Sequence, residues 1–487
     1  APALPTENNI EISGCVVGQT TFIGSNLTGT SGSPIGIIIS NASNANVFNN
    51  TVASVKAINT GSTAGPIGIS GQNSTGSIYN NKINEVSTAN ISSTAARPVG
   101  IQGSGLTSGT LTFYNNFVSG IKRGNLAAAG TVISLVGLRT TQQGGGGVVR
   151  WYHNTVYLSD AVSANYTSAA FASFAGGVNI EVRNNILINA IVSNTGARSY
   201  GINEANVANT FYTGTYNNIY APGGVNSYVG LKGTTTLCQT MATWRTATGQ
   251  DAASLSANVT FVNTATGDLH LSGGSVGDNA NLGAPLLASV TTDIDGATRN
   301  ATKTYKGADE AATALTLATL NLTMNFEAIP GKDTVNVELR SGTAPYAVLE
   351  VARGIAGQGT ANSFTFINAG DGIGYYLAVK HRNSIETWSG STPSFTSGSL
   401  SYDFTSAAAQ AFGSNQVLVG SDYSFYTGDP NQDGTVDGAD NSLIDNDAFN
   451  FVSGYVPTDL NGDLSTDGTD ATFSDNNAFN FIGVIRP

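Results

Sequence analysis

Charge is scarce in this chain, as are cysteine, methionine, tryptophan and histidine: of 487 residues 11 % are charged, with 2 Cys, 2 Met, 3 Trp and 3 His. No apolar run reaches the roughly 18 residues needed to cross a bilayer, so no membrane-spanning helix is expected. The few cysteines are compatible with export, because disulfide density marks small domains without a core and a chain this long can bury one. A net charge of -12 argues against nucleic acid as a partner. His153, His270 and His381 have no neighbours in sequence that would complete a histidine metal site or a catalytic triad.

What is abundant is glycine, at 59 residues, together with Asn, Ser and Thr, a mixture suited to tight turns and short strands. Hydrophobic residues make up 40 % and alternate with small polar ones, which excludes a disordered chain. The first residue is Ala1, as in a chain whose leader has been removed, so export to the cell surface or beyond is expected. Triplets such as Asn26-Leu27-Thr28 match the glycosylation acceptor but are expected by chance in a chain so rich in Asn and Thr. The acidity is local: residues 1–290 carry 11 Lys/Arg against 9 Asp/Glu, residues 291–428 carry 8 against 12, and residues 429–487 carry 1 against 11.

Two marks repeat in step. An Asn pair or its variant recurs at Phe48-Asn49-Asn50, Tyr79-Asn80-Asn81, Tyr114-Asn115-Asn116, Tyr152-His153-Asn154, Arg183-Asn184-Asn185 and Tyr216-Asn217-Asn218, the last residue of each spaced by 31, 35, 38, 31 and 33. A Gly between apolar residues keeps phase with it, at Pro34-Ile35-Gly36-Ile37, Pro66-Ile67-Gly68-Ile69, Pro98-Val99-Gly100-Ile101, Val136-Gly137-Leu138, Tyr200-Gly201-Ile202 and Val229-Gly230-Leu231. Each unit is too small to bury its own apolar face, so the units are expected to stack as turns of a coil, with parallel strands about 4.8 Å apart and Asn at a corner. Asn suits a corner because it tolerates left-handed backbone angles and its amide both donates and accepts.

On these marks the chain resembles the right-handed parallel β-helix proteins of the pectate-lyase-like superfamily over roughly residues 8–310, within an expected β-helix domain of residues 1–310. Leu269-His270-Leu271, Asp293 to Arg299 and Gly307 to Glu310 are similar to the closing segment of secreted bacterial β-helices. From about Ala311 longer alternating strands appear, such as Thr334 to Leu339 and Tyr375 to Lys380, and residues 311–428 resemble a transthyretin-like or immunoglobulin-like sandwich spacer. The expected class is therefore all-β with a small α-helical tail.

The tail, 429–487, is a duplication. Asp429, Asn431, Asp433, Thr435, Asp437 and Asp440 set oxygen donors at the alternate positions of a twelve-residue loop, with Gly434 at the bend. Thirty residues on, Asp459, Asn461, Asp463, Ser465, Asp467 and Asp470 repeat them, with Leu464 in place of the glycine. DNDAFNF from Asp445 recurs as DNNAFNF from Asp475, and Phe449 and Phe479 are expected to pack the two loop-helix halves together. The segment resembles a dockerin module, which implies two calcium sites, the second weaker for want of its glycine.

A polysaccharide lyase or hydrolase on this fold needs a basic residue beside carboxylates, or two or three carboxylates on adjacent coils. The acids of the coil, Glu7, Glu11, Glu85, Asp160, Glu181, Glu204, Asp251, Asp268 and Asp278, share no phase. Arg150, Trp151 and Arg183 would make at most a small sugar patch, and Lys380, His381, Arg382, Glu386 and Trp388 another. The expected function is non-enzymatic: a structural or adhesive protein whose first coil, preceded by an extended lead at residues 1–7, accepts the next molecule head to tail in a filament. A polysaccharide-binding or polysaccharide-degrading protein is the alternative, and a cohesin-like or glycan partner for the tail is a further one. Cys15 and Cys238 lie about six coil rises apart, roughly 30 Å, too far to bond within one straight coil.

Overall fold

The structure is a computed structural model describing residues 7–17, 33–57, 65–141, 146–160, 163–174, 179–205 and 211–487. Residues 1–6 of the expected lead and the Asn26-Leu27-Thr28 triplet lie outside the described residues. Two compact units divide the chain, Ala1–Leu315 and Thr316–Pro487.

The first unit is a parallel β-helix. Three sheets run its length, and successive strands of each come from successive coils. One sheet stacks Glu11–Ser13, Ala45–Phe48, Gly76–Tyr79, Thr110–Tyr114, Val148–Tyr152, Asn179–Arg183 and Tyr212–Thr215, in register from Val47 through Ile78, Phe113, Trp151 and Val182. Those five residues are buried and form, with Val52, Ile83, Val118, Val156 and Leu187 of the second sheet, a continuous apolar column inside the coil. The third sheet carries the glycine mark. A Cβ on Gly68 would meet the Gly100 carbonyl oxygen at 2.5 Å, and one on Gly100 the Gly137 oxygen at 2.6 Å, so a side chain there would force neighbouring coils apart.

The Asn pairs form the corner between the first two sheets. The first member of each takes a left-handed φ, at Asn49, Asn80, Asn115, His153, Asn184 and Tyr216. The second is buried in an amide column. Asn50 donates Nδ2 to Asn81 Oδ1 at 2.9 Å, and the pattern continues through Asn116, Asn154, Asn185 and Asn217 at 2.9–3.0 Å. Each amide also donates to a carbonyl of the preceding coil, as Asn116 does to Ile78 at 2.9 Å. The sixth copy is displaced by one from the expected phasing: Tyr216-Asn217, not Asn217-Asn218, occupies the corner, and the last spacing is 32. The left-handed site fixes the phase, and the next residue must supply the amide.

The end of the coil that follows this last corner is sealed. Helix α1 (Met241–Thr248) starts at a Thr240–Thr243 capping box and ends at left-handed Gly249. Its buried Trp244 lies so close to Gly230 that a Cβ there would fall 2.3 Å from the ring. Asp251 ends the amide column, accepting from Asn217 Nδ2 at 3.0 Å, Tyr212 at 2.7 Å and Trp244 at 2.9 Å. Residues beyond α1 then run back along the outside of the second sheet, where Val259, Phe261, Leu269, Leu271, Leu282, Ile294 and Tyr305 cover Phe117, Ile186 and Ile188.

In the second unit a three-stranded sheet (Asn362–Phe366, Ala318–Thr323, Ser399–Asp403) and a four-stranded antiparallel sheet (Val348–Gly357, Lys332–Ser341, Tyr375–Lys380, Thr387–Trp388) share one core. Leu320, Leu322, Phe364 and Phe366 from the first meet Val335, Val337, Leu377 and Val379 from the second in it. The tail adds α2 (Gly438–Phe449) and α3 (Gly468–Phe479).

Candidate functional site

The twelve loop residues fall into two matching loops, each ending as a helix begins. In the first, Asn431 Oδ1 accepts from the Asp433 amide at 2.7 Å and Asp433 Oδ1 from the Thr435 amide at 3.0 Å. Asp437 caps α2, and Asp440 reaches back to the Asp437 amide at 3.0 Å in a capping box. Gly434 bends the loop at φ +91°. The second loop repeats these bonds with Asp459, Asn461, Asp463, Ser465, Asp467 and Asp470, and Leu464 takes the bend at φ 70°. A non-glycine residue held there carries strain on the order of 1 kcal/mol.

The donors fit a hard cation. Asp429, 2 % exposed, accepts from the Gly434 amide through Oδ2 while its buried Oδ1 has no hydrogen-bond partner. Burial, with Asp440 and Asp433 beside it, pushes the Asp429 carboxyl up to about 6, and burial also raises Asp440. Among the described tail residues the only Lys or Arg is Arg486, which pairs with Glu386 and not with these carboxylates. An uncompensated buried oxygen among clustered acids is the arrangement that a bound cation relieves.

The phenylalanines do not pack the halves together as expected. Phe449 and Phe479 are each 83 % exposed, and Phe451 and Phe481, at left-handed φ of 53° and 54°, are 89 % and 91 % exposed. The helix pair is joined instead by Asn441 to Asp475 at 2.7 Å and by Ser474 to Asn441, while the phenylalanines sit at the last turn and just past it.

At both candidate sugar patches the tryptophan ring is buried. Trp151 is fully buried and stacked on Phe113 at 4.0 Å, so it offers no surface to a sugar, and Arg150 pairs with Glu181. Trp388 is buried with the Arg340 guanidinium over its ring, and Lys380 bridges Glu338 and Glu386.

All three histidines gain partners that the sequence separates too widely to reveal, His381 at Asp333 among them. His153 is buried at its corner, its Nδ1 facing the Gly307 carbonyl at 3.2 Å and its Nε2 facing Asn184 Nδ2 at 3.0 Å. Burial and nearby Arg299 hold it well below the usual histidine range, so the ring is neutral and donates once. His270 sits with Asp295 and Asp309, ligand atoms within 4.8 Å of one another, and turns Nδ1 to Asp268 and Nε2 to Asp295, while Phe117 meets its ring edge-on. Asp309 accepts from the Leu271 amide at 2.8 Å and Lys82 reaches Asp295 at 3.4 Å.

Burial opposes charging His270, but its bonds to Asp268 and Asp295 outweigh it and raise the group above its ordinary value of 6.5. A raised histidine stabilises the fold below the unfolded value, and that contribution is lost as pH rises through the folded one. Amide exchange in residues 260–310 should therefore quicken as pH climbs past 6.5, after correction for intrinsic rates, by less than about 1 kcal/mol in a site this open to water. A His270→Leu variant should lose that extra pH dependence; a variant that kept it would show that another group is responsible.

No family model and no curated protein matches this chain.

Proposed function

We propose that this chain is a non-enzymatic structural or adhesive protein, secreted or held at the cell surface, that assembles head to tail into an extracellular filament stabilised by calcium in its tail. The carrying observation is the inequality of the coil's two ends. One end is closed by α1, by Thr236–Cys238 running antiparallel to Ser227–Lys232, and by Asp251. At the other, Glu11–Ser13, Val16–Val17 and Ile35–Ser40 are the outermost strands of their sheets, and among the described residues nothing pairs with their outer edges. Open parallel edges recruit strands, and a contact between unlike surfaces propagates unless it closes into a ring.

The four exposed phenylalanines support a docking role for the tail. Four aromatic rings in water, two of them (Phe451 and Phe481) on left-handed backbone, return nothing to the fold, which is intelligible if they are covered by a partner. On this reading the coil is a right-handed pectate-lyase-like helix, the two sheets form a β-sandwich spacer, and residues 429–487 are a dockerin-like module with two calcium sites, the strained second loop the weaker. Calcium, when bound, would supply positive charge to the carboxylates of the first loop, through Asp429, Asn431, Asp433, Thr435, Asp437 and Asp440.

Negative-stain electron microscopy with calcium and with excess chelator is the test. Regular fibres that shorten or dissolve on chelation are expected, and replacing Phe449, Phe451, Phe479 and Phe481 with Ser should prevent them. Single rods in both conditions would overturn the filament reading. A calcium-dependent pull-down would then point to a cohesin-like partner. Glycan binding has one observation in its favour, a cavity of about 280 Å³ bordered by Lys82, Asn84, Phe117, Asp268 and His270, and retention on an oligosaccharide column would reveal it.

A further inference from the structure

The residue that opens each loop is held by the same two-residue turn of the four-stranded sheet. Directly after the strand Tyr375–Lys380 and His381 come Arg382 and Asn383. The buried Asn383 uses both ends: its main-chain oxygen accepts from the amides of Gly428 at 2.8 Å and Asp429 at 3.0 Å, and its Nδ2 donates to the Asp459 carbonyl at 2.8 Å. Arg382 donates Nη1 to the Asp459 carbonyl at 2.7 Å and to that of Val456, and Nη2 stands 3.6 Å from Asp459 Oδ2. The guanidinium is itself fixed, with Nε on Asp333 at 3.1 Å and its plane 4.5 Å over the Tyr455 ring, whose hydroxyl donates to Asp333 at 2.6 Å.

Asp429 and Asp459 are thus tied to one rigid node although thirty residues separate them. Both side chains are buried, and each is the first donor of its loop. A cation that pulls Asp429 into place acts on the Asn383 main chain, and the Asn383 side chain acts on Asp459. A shared element whose position both sites bias is the physical requirement for coupling.

We propose that Arg382 and Asn383 are positioning residues that couple the two loops, so that filling either loop with calcium strengthens the other. The inference rests on the reading of the loops as calcium sites, and its test separates the two. Calcium alone is titrated calorimetrically into the full-length protein and into the Asn383→Ala, Arg382→Met and Arg382→Lys variants, and into each again with Asp463→Ala added to disable the second loop.

In the otherwise native chain, Asp463→Ala should weaken the remaining loop about five- to a hundredfold, the usual span of coupling between sites. In the Asn383→Ala chain the same change should leave the first loop unaltered. Arg382→Met should weaken the second loop about tenfold or more, and Arg382→Lys, which keeps the charge without the forked geometry, should recover only part of it. A folding defect would lower both affinities without abolishing their dependence on each other. Loops that respond to Asp463→Ala equally in native and Asn383→Ala chains would overturn the coupling while leaving the calcium reading intact. A native chain that takes up no calcium would remove both.

Discussion

Replacing Arg299 with Met should lower the free energy of unfolding of the first unit by about 3–5 kcal/mol, the usual consequence of removing one partner from a buried ion pair. Arg299 is wholly buried and uses all its donors. Nη2 reaches Asn115 Oδ1 at 2.8 Å and the Gly307 and Ala308 carbonyls at 3.0 and 3.1 Å, Nη1 reaches Glu310 at 3.2 Å and the Tyr305 carbonyl at 3.3 Å, and Nε reaches the Thr292 carbonyl at 3.2 Å. Burial draws its own pKa down to about 10, and Glu310 opposes that shift; the side chain remains charged at neutral pH. Methionine matches the length but leaves the buried Glu310 carboxylate without its cation. Lysine should rescue little, since three donors on one nitrogen cannot replace a planar fork. Urea denaturation followed by amide exchange over 290–310 measures the effect, and a midpoint within experimental error of the native chain would show that the flank is not pinned by this residue.

The amide column should be nearly as sensitive at its centre and much less so at its first-coil end. Asn116 accepts from the backbone and side-chain nitrogens of Asn81 at 3.1 and 3.0 Å and donates to Asn154 at 2.9 Å and Ile78 at 2.9 Å. Asn116→Ala strands two buried donors on Asn81 and removes a donor from Asn154. At about 1–3 kcal/mol for each unsatisfied group, a loss of roughly 3–5 kcal/mol follows, and Asn116→Asp, which turns a donor into a buried charge, should be worse. Asn50 lies where the column meets the first coil, with partly buried partners at Ile12 and Cys15, so water can replace part of what Asn50→Ala removes. Equal losses at Asn50 and Asn116 would mean that the amides matter singly and not as a stack.

The coil was legible in the sequence because its marks are local. A left-handed corner followed by an amide, and a glycine where coils approach closely, leave the same residues at every turn. The displacement at Tyr216 escaped because an aromatic residue gives no sign of accepting a left-handed angle. Helix α1 left a readable trace in Thr240, Thr243 and Gly249, but eight residues are too few for periodicity to stand out. The His270 cluster could not be read at all, since Asp295 and Asp309 meet it only when the chain doubles back along the coil. Trp151 and the tail phenylalanines fail in opposite senses: composition says that an aromatic residue wants burial, and only packing says which ones get it. The loops' oxygen spacing was plain, whereas their attachment to Arg382 and Asn383 depended on a turn about fifty residues upstream in another element.

The amide column has one more implication, for how such a molecule can change over generations. Every bond in it runs to the turn before or the turn after, and none reaches further. The gaps of 31 to 38 residues show that a turn may gain or lose residues away from its corner without disturbing its neighbours. A whole turn copied between the corners at Asn116 and Asn154 would find matching donors above and below it and extend the coil by about 4.8 Å. Reach is therefore a quantity that gene duplication can adjust in even steps, while the two dissimilar ends stay as they are.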